Sequence, residues 1–312
     1  MDALPHDRSE LLFRGGHPSQ KMTESIDSWT LAMTTDEHGG GEGSDLQITG
    51  RVSSKGRGII SGLFVTDRLI GAHFPSCRIH WALKEGDSVG DGDEVLRISG
   101  PSGEILRCER ILLNILGRMS GISTNTQKWV SEARNIGIAC TRKTDWGLLD
   151  KWAVHVGGGL THRLSRADAL MIKENDLASL APGTSDECTA VDVAVAGIDM
   201  SSHAEFVVVE VRDECQALAA SRRWEEMQQE LGGCERIVLL LDNMTPDMCA
   251  IIHSSLIEKG LREWCILEGS GGVVFDDLNR WQASGVDLVS TSALNRGVAP
   301  LDLSMKVIEV VE

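Results

Sequence analysis

Five basic side chains, Arg142, Lys143, His162, Arg163 and Lys173, fall within the stretch TRKTDWGLLDKWAVHVGGGLTHRLSRADALMIKEN, between Thr141 and Asn175. Each follows an apolar run or sits at a glycine turn, in a chain that is otherwise acidic. Such a cluster suits a ligand carrying several negative charges. Arginine grips a carboxylate through two parallel hydrogen bonds, whereas lysine acts as a point charge on phosphate. Arg142 and Lys143 are adjacent, so an extended strand would aim them to opposite sides; at a strand end both can reach one pocket. His162 and Arg163 follow three glycines, in a loop free enough to wrap a ligand. Taken alone, His162 reads as a capping or core-edge residue, and its neighbours shift that balance.

Carboxylates and small residues complete the set. Glu210 and Asp242 end the apolar runs FVVVEV and RIVLLLD, where a carboxylate is costly unless paired or metal-bound. Magnesium takes one or two carboxylates and fills its shell with water and phosphate oxygens. The plainer reading is a pair of structural ion pairs to Lys143 or Lys173. The loops EGSGGVVFDDLNRW and STSALNRGVAP contain Ser270, Gly271, Gly272 and Ser292. A glycine turn entering a helix offers unpaired N–H groups to an anion. The alternative is a tight turn with no ligand, and Arg296 just beyond favours phosphate. Arg110, in CERILLNILGRMSG, is read at a helix start, where a cation opposes the dipole; by itself it is a solvated surface arginine.

The elements that must position these groups follow from periodicity. Short alternating runs broken by Gly-Asp turns, from Leu46 to about Gly103, predict a small sheet domain. Ile111, Leu112, Ile115, Leu116 and Met119 mark one helix face, which Gly121 is expected to interrupt. Six near-continuous apolar runs then alternate with helical patterns: 137–142, 169–173, 206–211, 236–242, 264–269 and 286–290. That repetition predicts a parallel sheet covered by helices, closed as a barrel, with the active site at the C-terminal strand ends. LSMKVIEVV returns to the first domain as a strand or helix.

Composition narrows the class. The chain has 312 residues, a net charge of −16 and 42% hydrophobic residues, which fits a globular protein with a sizeable core and disfavours nucleic-acid binding. Eight cysteines are scattered without a CxxC pair, so reduced thiols in a cytoplasmic enzyme are expected rather than a zinc site. No apolar stretch reaches transmembrane length. Residues 1–25 read as a flexible lead-in, with a short helix possible around Glu10–Arg14.

In order, CERILLNILGRMSGIST, TRKTDWGLLDKWAVHVGGGLTHRL, ALMIKEN, VVEV, LLLDNMTP, EGSGG and STSALNRGVAPLDLSM resemble the quinolinate phosphoribosyltransferase family, from about Leu46 to the C-terminus. The resemblance implies an N-terminal α/β sandwich plus an incomplete TIM-type (β/α) barrel, with domains at 26–122 (joined by about 303–312) and 123–302. It implies transfer of phosphoribosyl from phosphoribosyl pyrophosphate to quinolinate, with Mg2+, giving nicotinate mononucleotide, pyrophosphate and carbon dioxide in NAD biosynthesis. It also implies a homodimer or hexamer with shared active sites. Arg142, His162, Arg163 and Lys173 would hold the quinolinate carboxylates, joined by Arg110 from the partner subunit. Lys143 would contact phosphoribosyl pyrophosphate, Glu210 and Asp242 would serve ribose and magnesium, and Ser270, Gly271, Gly272, Ser292 and Ala293 would cradle the 5′-phosphate.

This sequence departs from the family pattern at four places. Val208-Val209-Glu210 lacks the first carboxylate of Glu-Val-Glu; Asp176 replaces a histidine; Ser292 replaces a glycine; Arg296 replaces a histidine and would take over as phosphate ligand. An insertion including RRWEEMQQELGGC separates Glu210 from Asp242. Alternatives are a paralogue for another pyridine acid, a molybdenum-transport-associated homologue, or a non-catalytic binding protein with the same cradle. The retained cationic set and the intact Glu210 and Asp242 argue against the last two.

Overall fold

A computed structural model describes residues 4–37, 46–184, 186–199 and 205–311. Residues 1–3 of the expected lead-in and residue 312 of the segment expected to join the first domain lie outside them. The chain begins with a hairpin, β1 (Phe13–Arg14) and β2 (His17–Pro18). Gly15 and Gly16 both take positive φ at its two-residue turn, a conformation glycine adopts without a Cβ penalty. The helix α1 (Gln20–Asp36) follows, capped by the Ser19 hydroxyl accepting from the Met22 N–H at 3.1 Å. The lead-in is therefore built structure: Leu12 and Met22 are fully buried. The possible helix is a 3-10 turn at Ser9–Leu11.

Next come β3 (Gln47–Ser54), β4 (Gly58–Ile59), α2 (Leu63–His73), β5 (Arg78–Trp81), β6 (Ser88–Val89), β7 (Glu94–Pro101) and α3 (Ser102–Glu132). Glu85 supplies the cap that Gly62 lacks, accepting from the Gly62 and Leu63 N–H groups at 2.9 Å. The five apolar residues picked from the helical spacing are all buried on α3. Two expectations about this helix are corrected. It runs unbroken for 31 residues, and Arg110 lies more than two turns inside it. Gly121 does not break the helix; it admits a neighbour, since a Cβ there would stand 2.3 Å from the Ala299 carbonyl oxygen.

The second half contains β8 (Gly137–Cys140), α4 (Leu148–Val156), β9 (Leu170–Ile172), α5 (Glu174–Leu180), α6 (Glu187–Ala196), β10 (Val207–Val211), α7 (Glu214–Leu231), β11 (Ile237–Asp242), α8 (Pro246–Glu258), β12 (Cys265–Ser270), α9 (Leu278–Ala283), β13 (Leu288–Thr291) and β14 (Leu303–Val311). All six apolar runs become strands. They form one parallel sheet in the order β8-β13-β12-β11-β10-β9. β11 and β12 are buried except at their last residues, as expected for a sheet covered on both faces. Strands consecutive in sequence are neighbours except β8 and β9, which form the two edges. The barrel is therefore incomplete, open between its first and second strands.

Two compact units result. One holds the six-stranded barrel: the segment ending at Asp7, Ser131–Arg142 and His162–Ala293. The other holds Arg8–Val130, Lys143–Thr161 and the chain from Leu294, with an antiparallel sheet in the order β14-β3-β7-β5. A further correction concerns the cysteines. Cys188 and Cys215, in the first turns of α6 and α7, form a disulfide, while the other six cysteines are not disulfide-bonded. Among the described residues no helix is long and apolar enough to cross a membrane.

Candidate active site

Strand register sets the site. Glu210 on β10 pairs with Leu240 on β11, which pairs with Glu268 on β12. Two carboxylates thus occupy one layer on alternate strands, the positions that share a layer inside a barrel. Ser270 lies two residues above Glu268, level with Asp242 and Ser290.

Glu268 is fully buried and accepts from three donors. His162 Nε2 lies 3.1 Å from Oε1, His6 Nε2 lies 3.1 Å from Oε2, and the Ser290 hydroxyl also donates to Oε1. Burial pushes this carboxyl up, but the attraction and hydrogen bonds of His162 and His6 outweigh it and hold it ionised, well below the usual carboxylate range. Among the described residues, His6, His162 and Glu268 also form a group whose ligand-type atoms lie within 4.8 Å of one another. The hydrogen bonds oppose a metal there. His162 Nδ1 accepts the Arg163 N–H at 2.6 Å, which leaves Nε2, the atom a metal would need, to carry the proton donated to Glu268. A metal-bound imidazole instead donates from its other nitrogen.

His162 holds a left-handed φ of 52°, uncommon for a non-glycine residue. That turn leads directly into Arg163, whose guanidinium donates to the Ala169 carbonyl oxygen at 3.2 Å and is 7% exposed. Desolvation pulls the Arg163 pKa down, the charges of Arg142 and Arg166 lower it further, and Glu268 and Asp176 oppose them. The positive charges of Arg142 and Arg166 thus bear on Arg163 at the edges of the barrel opening. Arg142 follows β8, and Arg163 and Arg166 precede β9. Such repulsion is relieved by a bound anion.

Lys173, on the far side of β9, donates to Glu210 Oε2 at 2.6 Å; its side chain is half exposed. The ion pair considered as the plainer reading of Glu210 thus exists in the ligand-free chain. Asp176 replaces the family histidine with a helix cap: its carboxylate accepts the Lys173 N–H at 2.9 Å. Val208 shares the Glu210 face of β10 and is fully buried. Asp242 accepts from the Asn243 side-chain amide at 2.7 Å.

Above Glu268, β12 ends in Ser270, Gly271 and Gly272, the two glycines at φ 85° and 63°. A Cβ on Gly271 would stand 2.3 Å from Asn243 Oδ1, so this turn accepts only glycine without displacement. Ser292 and Ala293 begin a 3-10 turn after β13, where the Ala293 N–H donates to Thr291 Oγ1 at 3.2 Å.

The remaining predicted residues belong to the other unit. Lys143 is exposed, and its carbonyl accepts from the Asn295 amide at 3.0 Å. Buried Asp150 organises that loop, accepting from Arg118 and from the Asp145 and Trp146 N–H groups. Arg110 is exposed on α3, and Arg296 lies 3.9 Å from Asp145. The roles of Glu268, Arg166 and His6 were not foreseen. Glu268 ends an apolar run as Glu210 and Asp242 do, and Arg166 lies inside the quoted cationic stretch. His6 carried no signal.

The comparisons agree with this architecture. Residues 28–120 match the N-terminal domain and residues 122–306 the C-terminal domain of quinolinate phosphoribosyl transferase. The chain is 34% identical to a probable nicotinate-nucleotide pyrophosphorylase [carboxylating] of Archaeoglobus fulgidus, covering 83% of this chain and 93% of that protein. It is 32% identical to the chloroplastic nicotinate-nucleotide pyrophosphorylase [carboxylating] of Arabidopsis thaliana, over 84% of this chain and 75% of that one. The crystal structure of NadC from Streptococcus pyogenes superposes with a TM-score of 0.76 at 26% identity, covering 93% and 98% of the two chains. With both domains matched in order across nearly the whole chain, this protein belongs to the quinolinate phosphoribosyltransferase family.

Proposed function

We propose that the protein transfers phosphoribosyl from phosphoribosyl pyrophosphate to quinolinate with loss of carbon dioxide, giving nicotinate mononucleotide and pyrophosphate. The observation that carries this reading is the placement of cations around the barrel opening: Arg142 just after β8, buried Arg163 before β9 and Lys173 just after it, a set that suits a ligand with several negative charges. Quinolinate brings two carboxylates. Arg142 and Arg163 would take them as bidentate partners, and Lys173 would turn from Glu210 to the ligand. His162 would orient Arg163 rather than touch the acid, because both of its ring nitrogens are already engaged.

The Gly271-Gly272 turn, with Ser270, Ser292 and Ala293, would receive the 5′-phosphate through backbone N–H groups. Lys143 and Arg296 would add cations to the donor's phosphates, and Arg110 would complete the acid site of a neighbouring subunit in a homodimer or larger assembly. Glu210 and Asp242 fit Mg2+ by chemistry: both are hard oxygen donors at the C-terminal ends of adjacent strands. When bound, the ion would neutralise the departing pyrophosphate. Glu210 would stabilise the positive charge that develops on the ribose as that group leaves. The arginine clamp would hold the pyridine nitrogen in line with the ribose carbon. Once alkylated, the ring stabilises the electron pair of the breaking C–C bond as the adjacent carboxylate departs as carbon dioxide, and a proton from solvent then takes the carboxylate's place on the ring carbon, without a covalent enzyme intermediate. The proposed location is the cytoplasm.

Purified protein given quinolinate, phosphoribosyl pyrophosphate and Mg2+ should form nicotinate mononucleotide, followed by chromatography. Absence of product with quinolinate, but turnover of another pyridine acid, would replace this reading with a related transferase.

A further inference from the structure

His6 lies on the segment before the first hairpin, yet it is fully buried within the barrel unit. Its ring packs edge-on to His162, with centroids 5.0 Å apart, and tilts against Phe206 at 5.1 Å. Its Nε2 meets Glu268 Oε2 at 3.1 Å, while His162 Nε2 meets the other oxygen of the same carboxylate at 3.1 Å. The two imidazoles therefore share one buried anion, each fixing one of its oxygens. A carboxylate so held has one orientation available. That orientation dictates where the His162 ring stands, and His162, through its Nδ1 contact to the Arg163 N–H, sets the strained turn that presents Arg163.

We infer that His6 is a positioning residue for quinolinate: through Glu268 it locks the His162 ring and so the Arg163 guanidinium. This rests on the transferase reading above. The alternative, that the N-terminal segment blocks the site, predicts the opposite kinetics. The hydrogen bond, rather than ring packing alone, is the operative feature. His6 donates to a charged acceptor, and losing such a bond without a replacement loosens the geometry it sets.

The test compares His6→Phe, which keeps a ring against Phe206 but cannot donate, with His6→Gln, whose amide nitrogen can reach the Nε2 position. The expected result is a rise of about tenfold in KM for quinolinate in the Phe variant, the scale of one lost charge-assisted hydrogen bond. KM for phosphoribosyl pyrophosphate should stay unchanged, with recovery to within about threefold in the Gln variant. Unchanged quinolinate KM in His6→Phe would overturn the inference, as would a lowered KM, which would mark the segment as a blocker. Failure of Gln to rescue would reduce His6 to packing. A readout free of turnover keeps the two readings apart. The exchange-protected His162 Nε2–H proton resonance should be present in the wild type and broadened in His6→Phe. Its persistence in the variant contradicts the positioning role whatever acid the enzyme uses, whereas a wild type inert toward quinolinate contradicts only the transferase reading.

Discussion

Glu210 and Glu268 occupy one layer of the barrel, on alternate strands, and their surroundings are opposites. Glu210 accepts from half-exposed Lys173, whose place water can take. Glu268 is sealed from solvent and accepts from two imidazoles and a hydroxyl. The same residue type thus serves two ends. An ion pair near solvent is worth little to stability and exchanges readily for a ligand. A buried, fully hydrogen-bonded carboxylate is hard to remove and fixes whatever it touches. The exchangeable pair, Lys173 and Glu210, sits just after β9 and on β10; the buried, shared carboxylate sits on β12.

The largest effect should come from breaking the buried side of this contrast. Glu268→Gln leaves two imidazoles and a hydroxyl facing an amide and should cost about 2–4 kcal/mol in chemical denaturation, with activity nearly abolished. Stability within 0.5 kcal/mol of wild type, a level of about surface-substitution size, would erase the distinction. Lys173→Ala attacks the exchangeable side. Its kcat/KM for quinolinate should fall on the order of a hundredfold, about 2.7 kcal/mol, while denaturation shifts by less than about 1 kcal/mol. A large stability loss there would make Lys173–Glu210 structural. Gly271→Ala, above Glu268 on the same strand, sharpens the division. It should raise KM for phosphoribosyl pyrophosphate about tenfold, the result of about 1–3 kcal/mol of local strain, and leave quinolinate KM alone.

The smallest effect is in acid. The Glu268 pKa is depressed below its ordinary 4.5, so its contribution to stability is full above that value and is lost as pH falls through the folded-state pKa. Unfolding measured between about pH 5 and pH 3 should therefore show a steeper loss for wild type than for Glu268→Gln; parallel curves would remove Glu268 from the ionised state.

Much of this was legible in the sequence. Six apolar runs announced the six parallel strands because residues buried on both faces need no polar alternation. The glycine turn after β12 was visible because only glycine tolerates its conformation. Gly121 misled, because a glycine in a helix reads as a break when its reason is the Ala299 carbonyl, distant in sequence. Asp176 read as a lost histidine and proved to be a helix cap. The resemblance gives His162 to the quinolinate carboxylates; in the fold its ring meets Glu268 and the Arg163 N–H, contacts that no sequence pattern announces. His6 was invisible, since a single histidine in a polar leader carries no periodicity, and only the tertiary fold brings it to β12. The Cys188–Cys215 bridge was likewise hidden among scattered cysteines.

The most direct test of the account supplies quinolinate and nicotinate together, in equal amounts, with phosphoribosyl pyrophosphate and Mg2+, and counts carbon dioxide against nucleotide. The account predicts one carbon dioxide released for each nicotinate mononucleotide formed. Nucleotide formed without carbon dioxide would show that the arginine cluster serves a monocarboxylate and would contradict it.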